Sequence, residues 1–354
     1  MTQSLVGLGL EFAYAGRDVV RDATVAVAPG RVTALVGPSG SGKSTLLWLL
    51  AGLLEPKAGR IVLAESAEAA AAKGEPVDFA RARLGMVFQS SALWGHLTVE
   101  EHLGLVLAGK GFDREDRRRR TNEALARLRL EALRRRRPGQ LSGGEARRLA
   151  IARAIVADPE WLLLDEPLVH LDGPTRAELF ATLRDILAPA RAGVLMATHD
   201  AHEAMRLAGE IVVLAGGAVA QRGPPDEVYR RPVNLGVARM LGPVSELSGE
   251  ACGGVLSRGG VLSRGGRVVL ENLPAEMAGP QQLLLRPEDV AFRPAAGGAV
   301  TVRRCEFDGA AFLVTLDAAG EEVTARHSEK IAAGEAGCLR LLTAPAAKPP
   351  DDPQ

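Results

Sequence analysis

The nonapeptide GPSGSGKST at residues 37–45 constrains this chain more than any other stretch, because it fits the pattern G-x-x-x-x-G-K-[ST] and lies between RVTALV and TLLWLL. A strand before and a helix after is the setting in which that pattern forms a phosphate cradle. Gly37, Gly40 and Gly42 let the backbone curl, while Pro38, Ser39, Ser41 and Thr45 complete the loop. Successive N–H groups then face phosphate oxygens at the positive end of a helix. In such a loop the Lys43 ammonium reaches the β and γ phosphates of a nucleotide, and the Ser44 hydroxyl coordinates magnesium. A chance glycine-rich turn would leave the flanking strand and helix unexplained.

The partner of this loop is expected in LLLDEPLVHLD, residues 162–172. The strand WLLLD ends on Asp165, with Glu166 next in the chain. Alone, an acidic pair after a strand reads as a solvated turn or a helix cap. Beside a phosphate loop, Asp165 is placed to hold the magnesium shell and Glu166 to polarise an attacking water.

The remaining pattern is that of an α/β chain with a second, β-rich part. Short alternating runs up to residue 35 predict antiparallel strands, and residues 97–137 carry leucines at helical spacing. EARRLAIARAIVA, WLLLD, GPTRAELFATLRDIL, GVLMATH and EIVVLAGGAVAQ then alternate helix and strand, which predicts a parallel sheet covered on both faces. The alanine-rich AESAEAAAAKGEPVDFA is expected to be a surface excursion. The arginine runs 117–120 and 134–137 read as solvated helix faces in preference to contacts with acidic lipid or nucleic acid. Beyond residue 240 the text turns glycine-rich, with a tandem VLSRGG at 255–266 taken as a hairpin or loop duplication, and short strands follow to residue 343. The expected division is 1–238 for a nucleotide-binding domain with a helical subdomain at about 90–150, 239–345 for a small all-β domain, and 346–354 for a disordered tail.

Composition excludes several classes. Across 354 residues, 43 basic and 43 acidic side chains cancel, so no global field points to nucleic acid or a membrane surface. Cys252, Cys305 and Cys338 are odd in number and widely spaced, against a disulfide framework or a zinc site and in keeping with a reducing cytosol. The opening MTQSLVGLGLEF lacks the pattern of a signal peptide, and no apolar run approaches the roughly 18 residues of a membrane span. A membrane role is therefore expected to come through a partner.

With QLSGGEARRLAIARA at 140–154, residues 5–235 resemble the ATP-binding cassette ATPases, for which LSGG followed by a basic helix is the signature. The resemblance implies ATP and Mg2+ as cofactors and a head-to-tail pair of cassettes, in which Leu141, Ser142, Gly143, Gly144 and Glu145 close over the ATP held by the opposite subunit. It also implies that Tyr14 stacks on adenine, that Gln89 senses magnesium and the attacking water, that His199 contacts the γ-phosphate, and that Asp172 touches the opposite subunit. Three places depart from the common pattern. Val169-His170 stands where the family has a serine followed by alanine or asparagine, Glu145 where glutamine is commonest, and Trp94-Gly95-His96 where many relatives have Phe-Pro-His.

The β-rich extension, with LLLRPEDVAF at 283–292 and FDGAAFLVTL at 307–316, resembles the barrel-like regulatory (TOBE-like) domain on ATPases of bacterial solute importers that move molybdate, sulfate, polyamines, ferric iron or sugars. The implied protein is the energy-coupling ATPase of an importer. It would work as a homodimer, or with a paired cassette, on integral membrane permease subunits at the cytoplasmic face of the cell membrane, served indirectly by an extracytoplasmic solute-binding protein, with no nucleic acid as partner. An exporter ATPase, or a soluble cassette ATPase acting on nucleic acid or ribosomes, is the alternative.

Overall fold

The computed structural model describes residues 3–188, 191–252, 254–258, 267–274, 276–343 and 346–347. The chain divides into two units, Met1–Val228 and Tyr229–Gln354.

The first unit holds two sheets. β1 (Ser4–Tyr14), β2 (Arg17–Val27), β4 (Ala58–Ala64) and β5 (Glu75–Pro76) form an antiparallel sheet in the order β2-β1-β4-β5. The second sheet runs in the order β10-β9-β3-β8-β7-β6, made of β3 (Val32–Val36), β6 (Leu84–Val87), β7 (Trp161–Asp165), β8 (Gly193–Thr198), β9 (Glu210–Ala215) and β10 (Ala218–Gly223). Its strands are parallel except for β10, which returns antiparallel on β9. Every residue of β7 and β8 is buried, the pattern of a parallel sheet covered on both faces.

Between the sheets lies α1 (Lys43–Leu50), whose Leu46, Leu47, Leu49 and Leu50 pack with Leu5, Val25, Leu163 and Leu195 in one core cluster. Each of these fully buried leucines contributes about 1.5–3 kcal/mol relative to exposure. The helical part comprises α3 (Val99–Gly109), α4 (Arg114–Arg127) and α5 (Gly143–Ile155). α3 opens on a capping box, Thr98 with Glu101, as the sequence TVEE suggests. α6 (Gly173–Leu187), α7 (Ala201–Leu207) and α8 (Pro225–Arg230) complete the unit, the division falling within α8.

Register decides where chemistry can occur. Val36 pairs with Thr198, Asp165 with Ala197, and Val87 with Leu164, so four parallel strands end along one edge. The segments that leave this edge begin at Gly37, Phe88, Glu166 and His199. Ligands of open α/β sheets bind at this carboxyl edge.

The alanine-rich stretch lies largely at the surface, as expected of an excursion, and part of it is helical. Ala67–Ala72 form α2, capped by Ser66 Oγ, which accepts from the Ala69 N–H, and Ala70 packs in a small core with Val6, Val62 and Ala64. Alanine has the highest helix propensity of all residues, and with a serine cap it outweighs the low complexity of the text.

The second unit begins ahead of the boundary expected at residue 238. Its α9 (Leu235–Leu241) precedes β11 (Ser245–Cys252), β12 (Val255–Arg258), β13 (Arg267–Glu271), β14 (Gly279–Leu285), β15 (Val290–Pro294), β16 (Val300–Phe307), β17 (Phe312–Ala318), β18 (Glu321–His327), β19 (Ala336–Leu341) and β20 (Ala346–Ala347). Arg286 binds the entering segment to the β domain, donating to the carbonyls of Gly242 (2.9 Å) and Pro243 (3.1 Å) and lying over the Tyr229 ring. The sheet runs β18-β17-β16-β19-β13-β12-β11-β14-β20, with β15 also on β19. Its first strand folds back near β11, because the Ser248 N–H donates to Glu321 and the Thr324 N–H to Ser245 Oγ. That curling makes the domain barrel-like. The expected tail is partly ordered, since Ala346 and Ala347 pair with Leu284 and Leu283. Residues 348–354, and the second half of the tandem repeat at 259–266, lie outside the described residues.

Candidate active site

The loop of residues 37–45 bends at Gly40 (φ +79°) and Gly42 (φ +99°), left-handed conformations that favour glycine. Space is restricted as well: a Cβ on Gly42 would lie 2.6 Å from the Val19 carbonyl oxygen, and one on Gly37 would lie 2.3 Å from that of Leu214. The hairpin of β1 and β2 thus abuts the loop, and Tyr14 sits at its tip, its exposed ring edge-on to Phe12.

Lys43, only 5% exposed, folds its ammonium back over the loop and donates to the carbonyls of Gly37 (2.8 Å) and Pro38 (2.9 Å). Burial lowers its pKa, while the charges of Glu166 and Asp165 pull the other way. Ser44 Oγ donates to Asp165 Oδ1 at 2.9 Å, which brings together the two residues expected to hold magnesium. Asp165 is 1% exposed and burial raises its pKa; its Oδ2 has no hydrogen-bond partner among the described residues. An orphaned buried carboxylate oxygen beside a hydroxyl is a hard-oxygen donor set that suits Mg2+.

Glu166 leaves β7 with a left-handed backbone (φ +47°), its N–H donating to the Ala197 carbonyl on β8. Its carboxylate stands 3.2 Å from His199 Nδ1 at the end of β8. Gln89 follows β6 on the same edge, with an exposed side chain. Three strand ends thus set an acid, an acid with its histidine, and an amide along one edge of the sheet.

The signature residues open α5. Ser142 is its N-cap, in a reciprocal box with Glu145: Ser142 N–H to Glu145 Oε2 is 2.7 Å, and Glu145 N–H to Ser142 Oγ is 3.3 Å. The Ser142 N–H lowers the Glu145 pKa, so the acid in place of glutamine serves as a capping carboxylate at a positive helix end. Ser142 and Gly143 are exposed, Leu141 is half-buried, and Gly144 packs so closely on Thr175 that a Cβ would meet its methyl at 2.4 Å. Asp172 caps α6 through the Thr175 N–H (2.9 Å), which lowers its pKa. His170 beside it has φ +60° and is exposed.

Several residues were not singled out by sequence. Arg147, on α5, is 3% exposed beneath the strand edge. Arg176 of α6 pairs with Asp200 and Glu203, and Glu203 accepts from Thr198, which ties α6 to the turn that carries His199. His102 is fully buried and accepts the Trp94 N–H on Nε2 (3.0 Å), with Nδ1 2.7 Å from the Thr98 carbonyl. It anchors the Trp94-Gly95-His96 departure from below. Next to that loop lies a groove of about 620 Å³ lined by Met86, Phe88, Trp94, Val106, Phe112 and Arg153. Among the described residues no helix is long and apolar enough to cross a membrane.

Comparison with known proteins gives the context. A family model described as ABC transporter matches residues 20–169. The chain is similar to the sn-glycerol-3-phosphate import ATP-binding protein UgpC of Jannaschia sp. (strain CCS1), 34% identical over 94% of this chain and 92% of that protein. It is likewise similar to the Fe(3+) ions import ATP-binding protein FbpC 3 of Rhodococcus jostii (strain RHA1), 36% identical over 92% and 91%. Among solved structures, the ATP-binding subunit of an ABC transporter superposes with a TM-score of 0.55 at 29% identity, over 64% of this chain and 92% of that one. A dimeric ATP-binding cassette in a post-hydrolysis state, bound to ADP and Pi, gives 0.54 at 27% identity, over 62% and 98%.

Proposed function

The chain belongs to the ABC transporter family as the ATP-hydrolysing subunit of an importer, and on that premise we propose how its own residues divide the work. The observation that carries the proposal is the convergence of Lys43, Ser44, Asp165, Glu166 and His199 on one sheet edge.

ATP lies along the loop of residues 37–45, with Tyr14 against the adenine. Lys43 exchanges its two carbonyl acceptors for the β and γ phosphates. Ser44 and Asp165 would hold Mg2+, Gln89 lying near it, and the ion would supply charge neutralisation between the phosphates. Glu166 accepts a proton from the attacking water as its oxygen bonds to the γ-phosphorus; the bond to the bridging oxygen breaks, and ADP and phosphate leave. His199, at 3.2 Å from that carboxylate, donates to the γ-phosphate and positions the base.

The exposed N-terminus of α5 supports a second role for this surface. Two copies pair head to tail, and residues 141–145 of each cover the γ-phosphate bound by the other, with Asp172 at the seam. ATP binding closes this dimer and hydrolysis reopens it. The Trp94 groove receives the permease subunits at the cytoplasmic face of the membrane, and the second unit serves as a TOBE-like regulatory barrel. An extracytoplasmic solute-binding protein acts on the complex only indirectly.

Hydrolysis by the purified protein, with and without Mg2+, tests the assignment of roles. Glu166→Gln is expected to retain ATP binding and lose about 10²–10⁴-fold in hydrolysis. A rate near that of the unchanged protein would remove Glu166 as the base. Capture of an integral membrane subunit from native membranes is expected in parallel; recovery on ribosomes or DNA instead would defeat the assembly.

A further inference from the structure

The Arg147 guanidinium has five N–H donors, and five backbone carbonyls surround it. Nε donates to Pro167 (2.8 Å); one terminal nitrogen donates to Phe88 and Gln89 (3.1 Å for Gln89); the other donates to Asp165 (2.9 Å) and Glu166. Burial pushes its pKa down to about 10, so it remains a cation at neutral pH. Among the described residues no carboxylate shares these hydrogen bonds. Three consecutive carbonyls, at 165–167, converge on one cation, and they can do so because Glu166 takes the left-handed backbone at φ +47°. A non-glycine residue there is strained by about 1–3 kcal/mol unless its surroundings hold it.

We propose that Arg147 is the positioning residue of the hydrolytic centre: its planar fork holds Glu166 in the left-handed turn and Gln89 at the end of β6, so that both side chains face the attacking water. Arg147 lies on α5, whose first residues face the opposite ATP in the proposed dimer. A displacement of that helix on closure therefore reaches Glu166 and Gln89 through one side chain. This inference rests on the reading of Glu166 as the base.

Lysine has the charge but not the fork; three donors on one nitrogen cannot serve carbonyls on both β6 and β7 ends. The experiment measures kcat, KM for ATP and equilibrium ATP binding for Arg147→Lys and Arg147→Gln, each alone and combined with Glu166→Gln. The single variants are expected to lose at least tenfold in kcat with ATP affinity within about twofold of the unchanged protein. In the Glu166→Gln background, where the base is already gone, either substitution should change the residual rate by less than twofold. An effect that comes merely from a weakened fold would lower ATP binding and slow both backgrounds alike, and that result overturns the proposal. So does an Arg147→Lys enzyme with unchanged kcat. Should Arg147→Gln fail to fold, the lysine variant alone decides by the same criteria. Glu166→Gln measured by itself separates the two claims: full activity there defeats the base assignment, whereas a slow Glu166→Gln beside a normal Arg147→Lys defeats only the positioning role.

Discussion

The two units treat buried charge in opposite ways. In the first, Lys43, Arg147, Arg153, Asp165 and Glu203 are each less than 10% exposed, whereas in the second Arg286 is the one charged side chain so buried among the described residues. The core of the β unit is otherwise uncharged, built mainly from apolar residues such as Leu247, Val269, Leu283, Val314, Leu316 and Leu339. A buried charge costs several kcal/mol unless it is compensated, so its concentration supports the placing of the candidate site in the first unit. The manner of compensation is informative too. Lys43, Arg147 and Arg153 all donate to backbone carbonyls, the last to Ser91 and Ala92. The cations around the candidate site thus leave Asp165 Oδ2 without a hydrogen-bond partner among the described residues and the Glu166 carboxylate facing His199. Arg286 uses the same device for a mechanical end, tying the entry of its domain to the barrel.

The contrast can be broken first at its strongest point. Lys43→Ala should weaken ATP binding by at least a hundredfold, about 3 kcal/mol, in a fluorescent-nucleotide titration, and leave the melting of the β unit unchanged. Leu316→Ala should do the reverse. It opens a cavity in the apolar core of the second unit, costing about 2–5 kcal/mol in denaturant unfolding of that unit, with ATP affinity of the first intact. Loss of ATP binding in that variant would mean that the two units do not separate as described.

Finer effects sharpen the same division. His170→Ala should weaken ATP-driven dimerisation several-fold in analytical ultracentrifugation while nucleotide binding by one chain is unaffected; unchanged dimerisation would mean that Val169-His170 replaces the usual residues without consequence. The smallest effect concerns Tyr229, whose pKa is raised to about 12 by burial and by its hydrogen bond to Glu288 (2.6 Å). A phenol whose pKa is higher folded than unfolded adds stability that is complete below pH 10 and is lost as pH rises toward 12. Thermal melting of the β unit should therefore fall across that window, and Tyr229→Phe should flatten the dependence.

What the sequence disclosed follows from the range of the interactions involved. The loop at 37–45, the strand ending in Asp165 and Glu166, and the box of Ser142 with Glu145 are contiguous, so residue type and spacing contain their chemistry. Arg147 was silent because its partners lie about 60 residues upstream at Phe88 and Gln89, and 18–20 residues downstream at Asp165, Glu166 and Pro167. In the text it is one of two adjacent arginines on a helix, and only folding turns it inward. His102 and Arg176 were hidden for the same reason, since Trp94, Asp200 and Glu203 join them only in space. The helix Ala67–Ala72 was readable within that surface excursion, since Ser66 followed by alanines is a capped helix by propensity. The start of the second unit could not be read from texture, because α9 is joined to it by Arg286, far along the chain.

In the proposed dimer, one sheet edge completes its catalytic centre only when a second copy closes over it. Light scattering on purified Glu166→Gln tests this most directly. With ATP and Mg2+ the mass should rise from one chain to two, and with ADP it should return to one. A mass that stays at one chain with ATP, or that is the same with either nucleotide, would contradict the account.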